Sequence, residues 1–152
     1  MKSKNCTENN ISIGNAGEYF VAGELERHGF TVAVPMSNTK DFDILAINRT
    51  NYNQYAIQVK TTGKVKKDWL INNIDKIIHG KNIIFIFVCL NGMKKPEYHI
   101  VPSEIVYKRA IDDYNNWIST PGRNGKVHDA QSNKIHFKDS ENIYLDKWDY
   151  LQ

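Results

Sequence analysis

Residues 56–60 have the sequence AIQVK, an apolar segment interrupted by one glutamine and one lysine. Alternate side chains of an extended strand point to opposite faces. Ile57 and Val59 therefore share one face, and Gln58 and Lys60 share the other. The surrounding segment Tyr55–Thr61 is predicted as a strand. A lysine inside such an apolar strand needs a partner or a function.

A second predicted strand, DFDILAI at residues 41–47, precedes the first one. In this strand Asp43 would share a face with Leu45 and Ile47, which places an acid among apolar side chains. The polar segment NRTNYNQ at residues 48–54 joins the two strands and is typical of a hairpin loop. Such a hairpin would bring Asp43, Gln58 and Lys60 to one patch.

A predicted helix, Gly14–Gly29, carries a glutamate on its apolar face. At about 100° per residue, Val21, Ala22 and Leu25 fall within about 60° of Glu18. A carboxylate on a core-facing stripe is costly unless it is paired or bound to a metal. Packing of this helix on the sheet would then bring Glu18 next to the patch formed by the two strands. The alternative is a partly exposed acid near the start of the helix, favoured by the helix dipole.

These residues together resemble the PD-(D/E)xK nuclease superfamily. The similarity lies in Asp43, then fourteen residues, then Gln58-Val59-Lys60, with Glu18 on the preceding helix. The similar variant has Gln-x-Lys in place of Asp/Glu-x-Lys and is found in Mrr-like restriction endonucleases and Holliday-junction-resolvase-like domains. The resemblance covers residues 12–61. It implies a restriction-endonuclease-like α/β fold, with a mixed central sheet of four to five strands flanked by helices.

The resemblance also implies hydrolysis of phosphodiester bonds, in DNA more than in RNA, with Mg²⁺ or Mn²⁺ as cofactor. Asp43 would bind the metal directly, and the side-chain oxygen of Gln58 and the carbonyl of Val59 would add ligands. Glu18 would complete or support this shell. Lys60 would orient or polarise the attacking water and neutralise developing charge. Oxygen ligands suit Mg²⁺, and a bound metal lowers the pKa of its water.

The sequence departs from the family pattern at two positions. Phe42 stands where the family has proline, and Gln58 replaces a carboxylate. The site would then hold two negative charges instead of three, so we expect weaker metal binding. Asp41 is a second candidate for the metal-binding acid, since it would point the same way as Asp43. The alternative function is a catalytically inactive nuclease-like fold that binds nucleic acid or protein.

Basic residues near the motif are candidates for contacts with phosphates, with a solvated loop as the alternative. These candidates are Lys64, Lys66 and Lys67 after the signature strand, and Arg123 and Lys126 in a later loop. The net charge of +3, from 20 basic and 17 acidic residues, permits nucleic-acid binding without proving it.

The remaining segments complete a single domain over residues 11–152, after a polar tail at residues 1–10. The continuous apolar run Ile83–Leu90 predicts a strand that is buried on both faces. Helical spacing predicts a helix at Trp69–His79, with an extended conformation for part of the segment as the alternative. The other predicted elements are strands at Phe30–Val34, Tyr98–Val101 and Lys134–Phe137, and a helix from Ser103, as its cap, to about Ile118.

The sequence composition indicates the cellular compartment in which the protein is expected. The chain has no apolar run long enough to cross a membrane and no signal-peptide pattern near Met1. Its two cysteines, Cys6 and Cys89, form no disulfide framework or zinc motif. We therefore expect a cytoplasmic protein without a membrane partner. Cutting both strands of a duplex, or a four-way junction, would take two sites, so we also expect a homodimer or a fusion to other modules.

Overall fold

The computed structural model describes residues 10–36, 41–129 and 134–152. The helices are α1, Asn10–Arg27, and α2, Ser103–Ser119, with short 3₁₀ turns at Ile74–Lys76, Arg123–Gly125 and Trp148–Leu151. The strands in chain order are β1 Phe30–Ala33, β2 Ile44–Asn48, β3 Gln54–Thr62, β4 Asp68–Asn72, β5 Ile83–Cys89, β6 Glu97–Pro102 and β7 Ile135–Lys138.

The central sheet has five strands in the order β1-β2-β3-β5-β6, and β4 pairs with β7 in a second, two-stranded sheet. The β3–β5 pair is parallel, and the other neighbours in the central sheet are antiparallel. The molecule is therefore an α/β fold with a mixed central sheet and flanking helices. This architecture and the β2–β3 hairpin were both predicted from the sequence.

The alternation of β3 and β5 divides the apolar residues into two cores, one on each face of the sheet. On one face, Ile57 and Val59 pack with Val21 and Leu25 of α1. On the other face, the buried side chains come from β4, β5, β7 and α2, and include Trp69, Phe85, Phe87, Val106, Ala110 and Phe137. The strand β5 is buried on both faces, as its continuous apolar run predicts.

The helix predicted at Trp69–His79 is wrong, whereas the extended alternative is correct for the first part of the segment. The segment begins as β4, continues through a 3₁₀ turn and has no α-helical turn. Trp69 and Ile71 are buried and Leu70 is 46% exposed, which is the alternation of a strand. The indole nitrogen of Trp69 also donates a hydrogen bond to the Val88 carbonyl, at 2.9 Å. Packing against β5 and pairing with β7 therefore override the helical spacing of the sequence.

Three boundaries also differ from the sequence predictions. Asn10, assigned to the polar tail, is the first residue of α1, and the rest of that tail lies outside the described residues. The strand predicted to begin at residue 41 begins at Ile44, so Asp43 lies just before β2. Ser103 does not cap α2, because Pro102 takes that position. The hydroxyl of Ser103 instead exchanges hydrogen bonds with the backbone of Gly80.

No helix among the described residues is both long enough and apolar enough to cross a bilayer. Cys89 is a buried free thiol, and burial raises its pKa to about 11, with the Glu97 carboxylate as a second cause. The other cysteine, Cys6, lies outside the described residues.

Candidate active site

The candidate site lies where β2 begins beside the middle of β3. The register of the two strands pairs Ile44 with Ile57. Just before β2, the Asp43 N–H donates to the Ile57 carbonyl, at 2.9 Å. Beyond this point β3 continues to Thr62, paired only with β5 on its other side among the described residues. The second half of β3 therefore presents an edge on the β2 side that none of the described strands covers.

The Asp43 carboxylate is fixed against this open edge. Its Oδ2 atom accepts a hydrogen bond from the Val59 N–H at 2.7 Å, so it takes the place of a strand partner. In an extended strand the N–H and C=O of one residue point to the same edge. The Val59 carbonyl therefore points to the side on which Asp43 lies. One carboxylate and one main-chain oxygen are thus held next to each other.

Gln58 is held by the segment that leads into β2. Its amide nitrogen donates to the backbone carbonyl of Asp41, at 2.9 Å. This bond turns the nitrogen towards the main chain and leaves the amide oxygen, the atom that a metal would need, on the opposite side of the group. Asp41 is exposed, and it contributes to this arrangement through its carbonyl and not through its side chain.

Glu18 on α1 is half-buried and lies in the electrostatic field of the other site residues. Burial is the main cause that raises the pKa of Glu18 above its ordinary value. The negative charge of Asp43 raises it further, and the positive charge of Lys60 lowers it. The structure therefore holds Asp43 against the Gln58–Val59 segment and places Glu18 within the electrostatic influence of Asp43 and Lys60.

Replacing Glu18 with glutamine is expected to stabilise the protein at neutral pH. A raised pKa means that the folded protein favours the neutral form, which glutamine imitates. Below the ordinary value of 4.5 both side chains are neutral, so the two proteins should have equal stability there. As pH rises through 4.5 and then through the raised pKa, the natural protein loses stability relative to Glu18→Gln. Urea denaturation at pH 3.5 and pH 7.5 measures this difference, and a variant less stable than the natural protein at pH 7.5 would contradict it.

The donor set of the site fits a hard divalent cation. The possible ligands are the carboxylates of Glu18 and Asp43, the amide oxygen of Gln58 and the main-chain oxygen of Val59. Mg²⁺ takes oxygen ligands, is held by one or two carboxylates, and keeps several waters. Among the described residues no group of three or more His, Cys, Asp and Glu side chains could hold a metal. Neutral oxygens would therefore have to complete any metal site here.

The five basic candidates lie in different settings. Lys64 is exposed in the loop after β3. Lys66 forms an ion pair with Asp68 at 3.2 Å, and Lys67 forms one with Glu97 at 3.2 Å. The remaining two candidates, Arg123 and Lys126, are exposed in and beside a 3₁₀ turn that follows α2. Lys64 is therefore the candidate that joins the site strand and has no ion pair among the described residues.

Sequence reasoning missed one residue that shapes this site, Gly17. It is buried on the face of α1 that packs on β3, directly before Glu18. The signal was present, since a glycine within the apolar stripe of a helix often marks a close approach of two backbones.

Comparison with known proteins finds a solved structure with a similar fold. No protein-family model and no curated protein matches the chain. Among solved structures, the chain is similar to the one titled "The structure of a bacterial homing endonuclease: I-Ssp6803I". The match covers 94% of this chain and 91% of that one, with a TM-score of 0.55 and 12% sequence identity. A likeness at this identity concerns the fold, so the chain has a nuclease-like α/β fold.

Proposed function

We propose that this protein is a divalent-metal-dependent nuclease that hydrolyses phosphodiester bonds in DNA, and that it belongs to the PD-(D/E)xK superfamily. The observation that carries the proposal is the Asp43 carboxylate held against the Gln58–Val59 segment at the open edge of β3, with Glu18 within the electrostatic influence of Asp43 and Lys60. The fold shared with a homing endonuclease supports the same function.

The oxygen atoms of four residues would hold the cation, Mg²⁺ or Mn²⁺. Asp43 would provide its Oδ1 atom, since Oδ2 is engaged by the Val59 N–H. Gln58 would provide its amide oxygen, Val59 its carbonyl, and Glu18 the second negative charge. When bound, the cation supplies a water of lowered pKa and polarises a phosphate oxygen. The two carboxylates keep the site negative enough to attract it.

Lys60 has a separate role in this proposal. Its side chain is half-buried, it lies on the same face of β3 as Gln58, and its charge acts on Glu18. An ammonium group has three N–H donors and no acceptor, so it can orient an attacking water and stabilise negative charge on a phosphate. Lys64, in the loop that follows β3, would contact the next phosphates of the same strand.

Each chain has one such site in this proposal, whereas a duplex has two strands to cut. We therefore propose that two copies act as a homodimer, with one site for each strand. Lys66, Lys67, Arg123 and Lys126 remain proposed nucleic-acid contacts. For Lys66 and Lys67, such contacts would first have to replace their present ion pairs.

Replacing Lys60 with alanine is expected to reduce the cleavage rate by about 100-fold or more, as losing one charged group from a catalytic site commonly does. The assay is cleavage of supercoiled plasmid and of branched DNA with Mg²⁺ or Mn²⁺, with RNA as a parallel substrate. Lys108→Ala is the matched control, because this exposed lysine lies on α2 and outside the site. Cleavage that persists in excess EDTA would contradict the proposed dependence on a metal.

The competing function is a binding module on the same fold. The replacement of a carboxylate by Gln58 favours it, because only two acids remain to attract a cation. It predicts that the natural protein cuts neither DNA nor RNA. It also predicts metal-independent binding to nucleic acid that Lys60→Ala and Asp43→Ala retain. That pair of results would contradict the nuclease proposal.

A further inference from the structure

The helix α1 and the strand β3 approach each other most tightly at Gly17 and Thr61. A β-carbon added at Gly17 would lie 1.8 Å from the Thr61 Oγ1 atom and 2.8 Å from its Cβ and Cγ2 atoms. These distances are too short for any real contact. The helix backbone therefore lies directly on the Thr61 side chain, at a depth that only glycine permits.

The other glycines of α1 show that this contact is specific to one position. A β-carbon added at Gly14 or at Gly23 would meet no atom within 4 Å. All three glycines lie inside the same helix, where glycine is less favourable than alanine. Of these three glycines, Gly17 is the one at which the packing leaves no room for a side chain.

The depth of the helix at Gly17 determines the position of the next residue, Glu18. Gly17 directly precedes Glu18 and Thr61 directly follows Lys60, so the tight contact fixes the helical turn that carries Glu18 against the part of β3 that carries Lys60. A helix lifted from the sheet at Gly17 would carry Glu18 away from Asp43 and towards water. Thr61 has a buried hydroxyl with no hydrogen-bond partner among the described residues. The contact is thus kept although it leaves a polar group unsatisfied.

We propose that Gly17 is a positioning residue, which sets the depth of α1 on β3 so that the Glu18 carboxylate reaches the site formed by Asp43 and Lys60. The catalytic meaning of this position rests on the proposed nuclease function. The placement itself does not, and it is measurable in the absence of any substrate.

The test compares Gly17→Ala with Gly23→Ala, the same substitution in the same helix. Crystal structures of the variants are the primary measurement, and they give the distance between the Glu18 carboxylate and the Lys60 ammonium group. In Gly17→Ala this distance is expected to grow by about 1 Å, because the added β-carbon pushes the helix off Thr61, whereas in Gly23→Ala it stays as in the natural protein. Adding Thr61→Ala removes the Oγ1 contact at 1.8 Å and the Cγ2 contact at 2.8 Å and leaves the Cβ contact at 2.8 Å, so it should reverse part of the displacement.

Cleavage provides the second measurement and separates positioning from general damage. Displacing a catalytic group by about 1 Å can cost about 100-fold in rate, and we expect a loss of that size in Gly17→Ala. If Gly17 acts through Glu18, the same substitution should cause no further loss in a Glu18→Gln background. A substitution that merely weakens the fold would lower the rate in both backgrounds.

The outcomes are distinguishable. A folded Gly17→Ala protein whose Glu18 carboxylate lies where it does in the natural protein would overturn the proposal, as would an equal loss of cleavage in the Glu18→Gln background. If the natural protein cuts nothing but Glu18 is displaced as expected, the nuclease function fails and the placement stands. If Gly17→Ala alone does not fold, the structure of Gly17→Ala/Thr61→Ala provides the measurement, with an intermediate displacement of Glu18 as the expected result.

Discussion

Replacing Asp139 with alanine is expected to lower the free energy of unfolding by about 3–5 kcal/mol, the cost of leaving a buried polar network without one partner. Asp139 is only 2% exposed and accepts three hydrogen bonds. Its Oδ2 atom lies 2.6 Å from the Nδ1 atom of His99, which is fully buried. The N–H groups of Ile143 and Tyr144 donate to the same carboxylate, each at 2.9 Å. Alanine would leave all three groups unpaired.

The loss should spread beyond Asp139, because this carboxylate organises the end of the chain. The segment that follows it pairs with β6, through the N–H of Ile100 to the carbonyl of Tyr144 at 2.9 Å. The N–H of Asp146 donates to the carbonyl of Tyr98 at 2.8 Å. Leu151, five residues further on, is fully buried in the core under α1. We therefore expect the chain end to lose its contacts with β6 when Asp139 is replaced.

Urea denaturation followed by tryptophan fluorescence measures the effect of Asp139→Ala. Asp149→Ala is the matched control, since it removes an exposed carboxylate from the same part of the chain. Asp139→Asn, which keeps one acceptor oxygen, should fall between the natural protein and Asp139→Ala. A loss below about 1 kcal/mol in Asp139→Ala, the size expected of an ordinary hydrogen bond, would show that the network is not structural.

The features that the sequence predicted correctly are those with a local pattern. The alternation of apolar and polar residues around Lys60 predicted β3 and its two faces, and the continuous apolar run predicted β5. The helical spacing of Val21 and Leu25 predicted the face of α1 that packs on the sheet. Each of these patterns is contained within one element and reflects burial of that element.

The features that the sequence did not predict depend on partners far away in the chain. The spacing of apolar residues in Trp69–His79 indicates a helix, but β4 is a strand because it pairs with β7, more than 60 residues further on. The buried pair of His99 and Asp139 joins residues 40 apart, and neither sequence neighbourhood indicates it. The alternation in residues 41–47 predicts that Asp43 lies inside a strand, whereas it precedes one. Its carboxylate accepts the hydrogen bond from the Val59 N–H that a neighbouring strand would otherwise accept. No periodicity of the sequence indicates such a contact.

Replacing Asp43 with alanine is expected to reduce metal-dependent cleavage by well over 100-fold. Outer residues that only support metal ligands already contribute about 10- to 100-fold, and Asp43 would be a direct ligand. The same change removes a negative charge next to Glu18, so the pKa of Glu18 should fall. Titration calorimetry with Mn²⁺ and carboxyl NMR measure the two effects independently of cleavage.

Asp43→Asn separates the two roles of this carboxylate. Asparagine can still accept the hydrogen bond from the Val59 N–H, so the edge of β3 should keep its arrangement, but it has no charge to offer a cation. We therefore expect Asp43→Asn to lose metal binding while it unfolds at a urea concentration close to that of the natural protein. Asp41→Ala is the control, because Gln58 uses the main-chain carbonyl of Asp41 and not its carboxylate. Cleavage that survives in Asp43→Asn but is lost in Asp41→Ala would transfer the metal-binding role to Asp41.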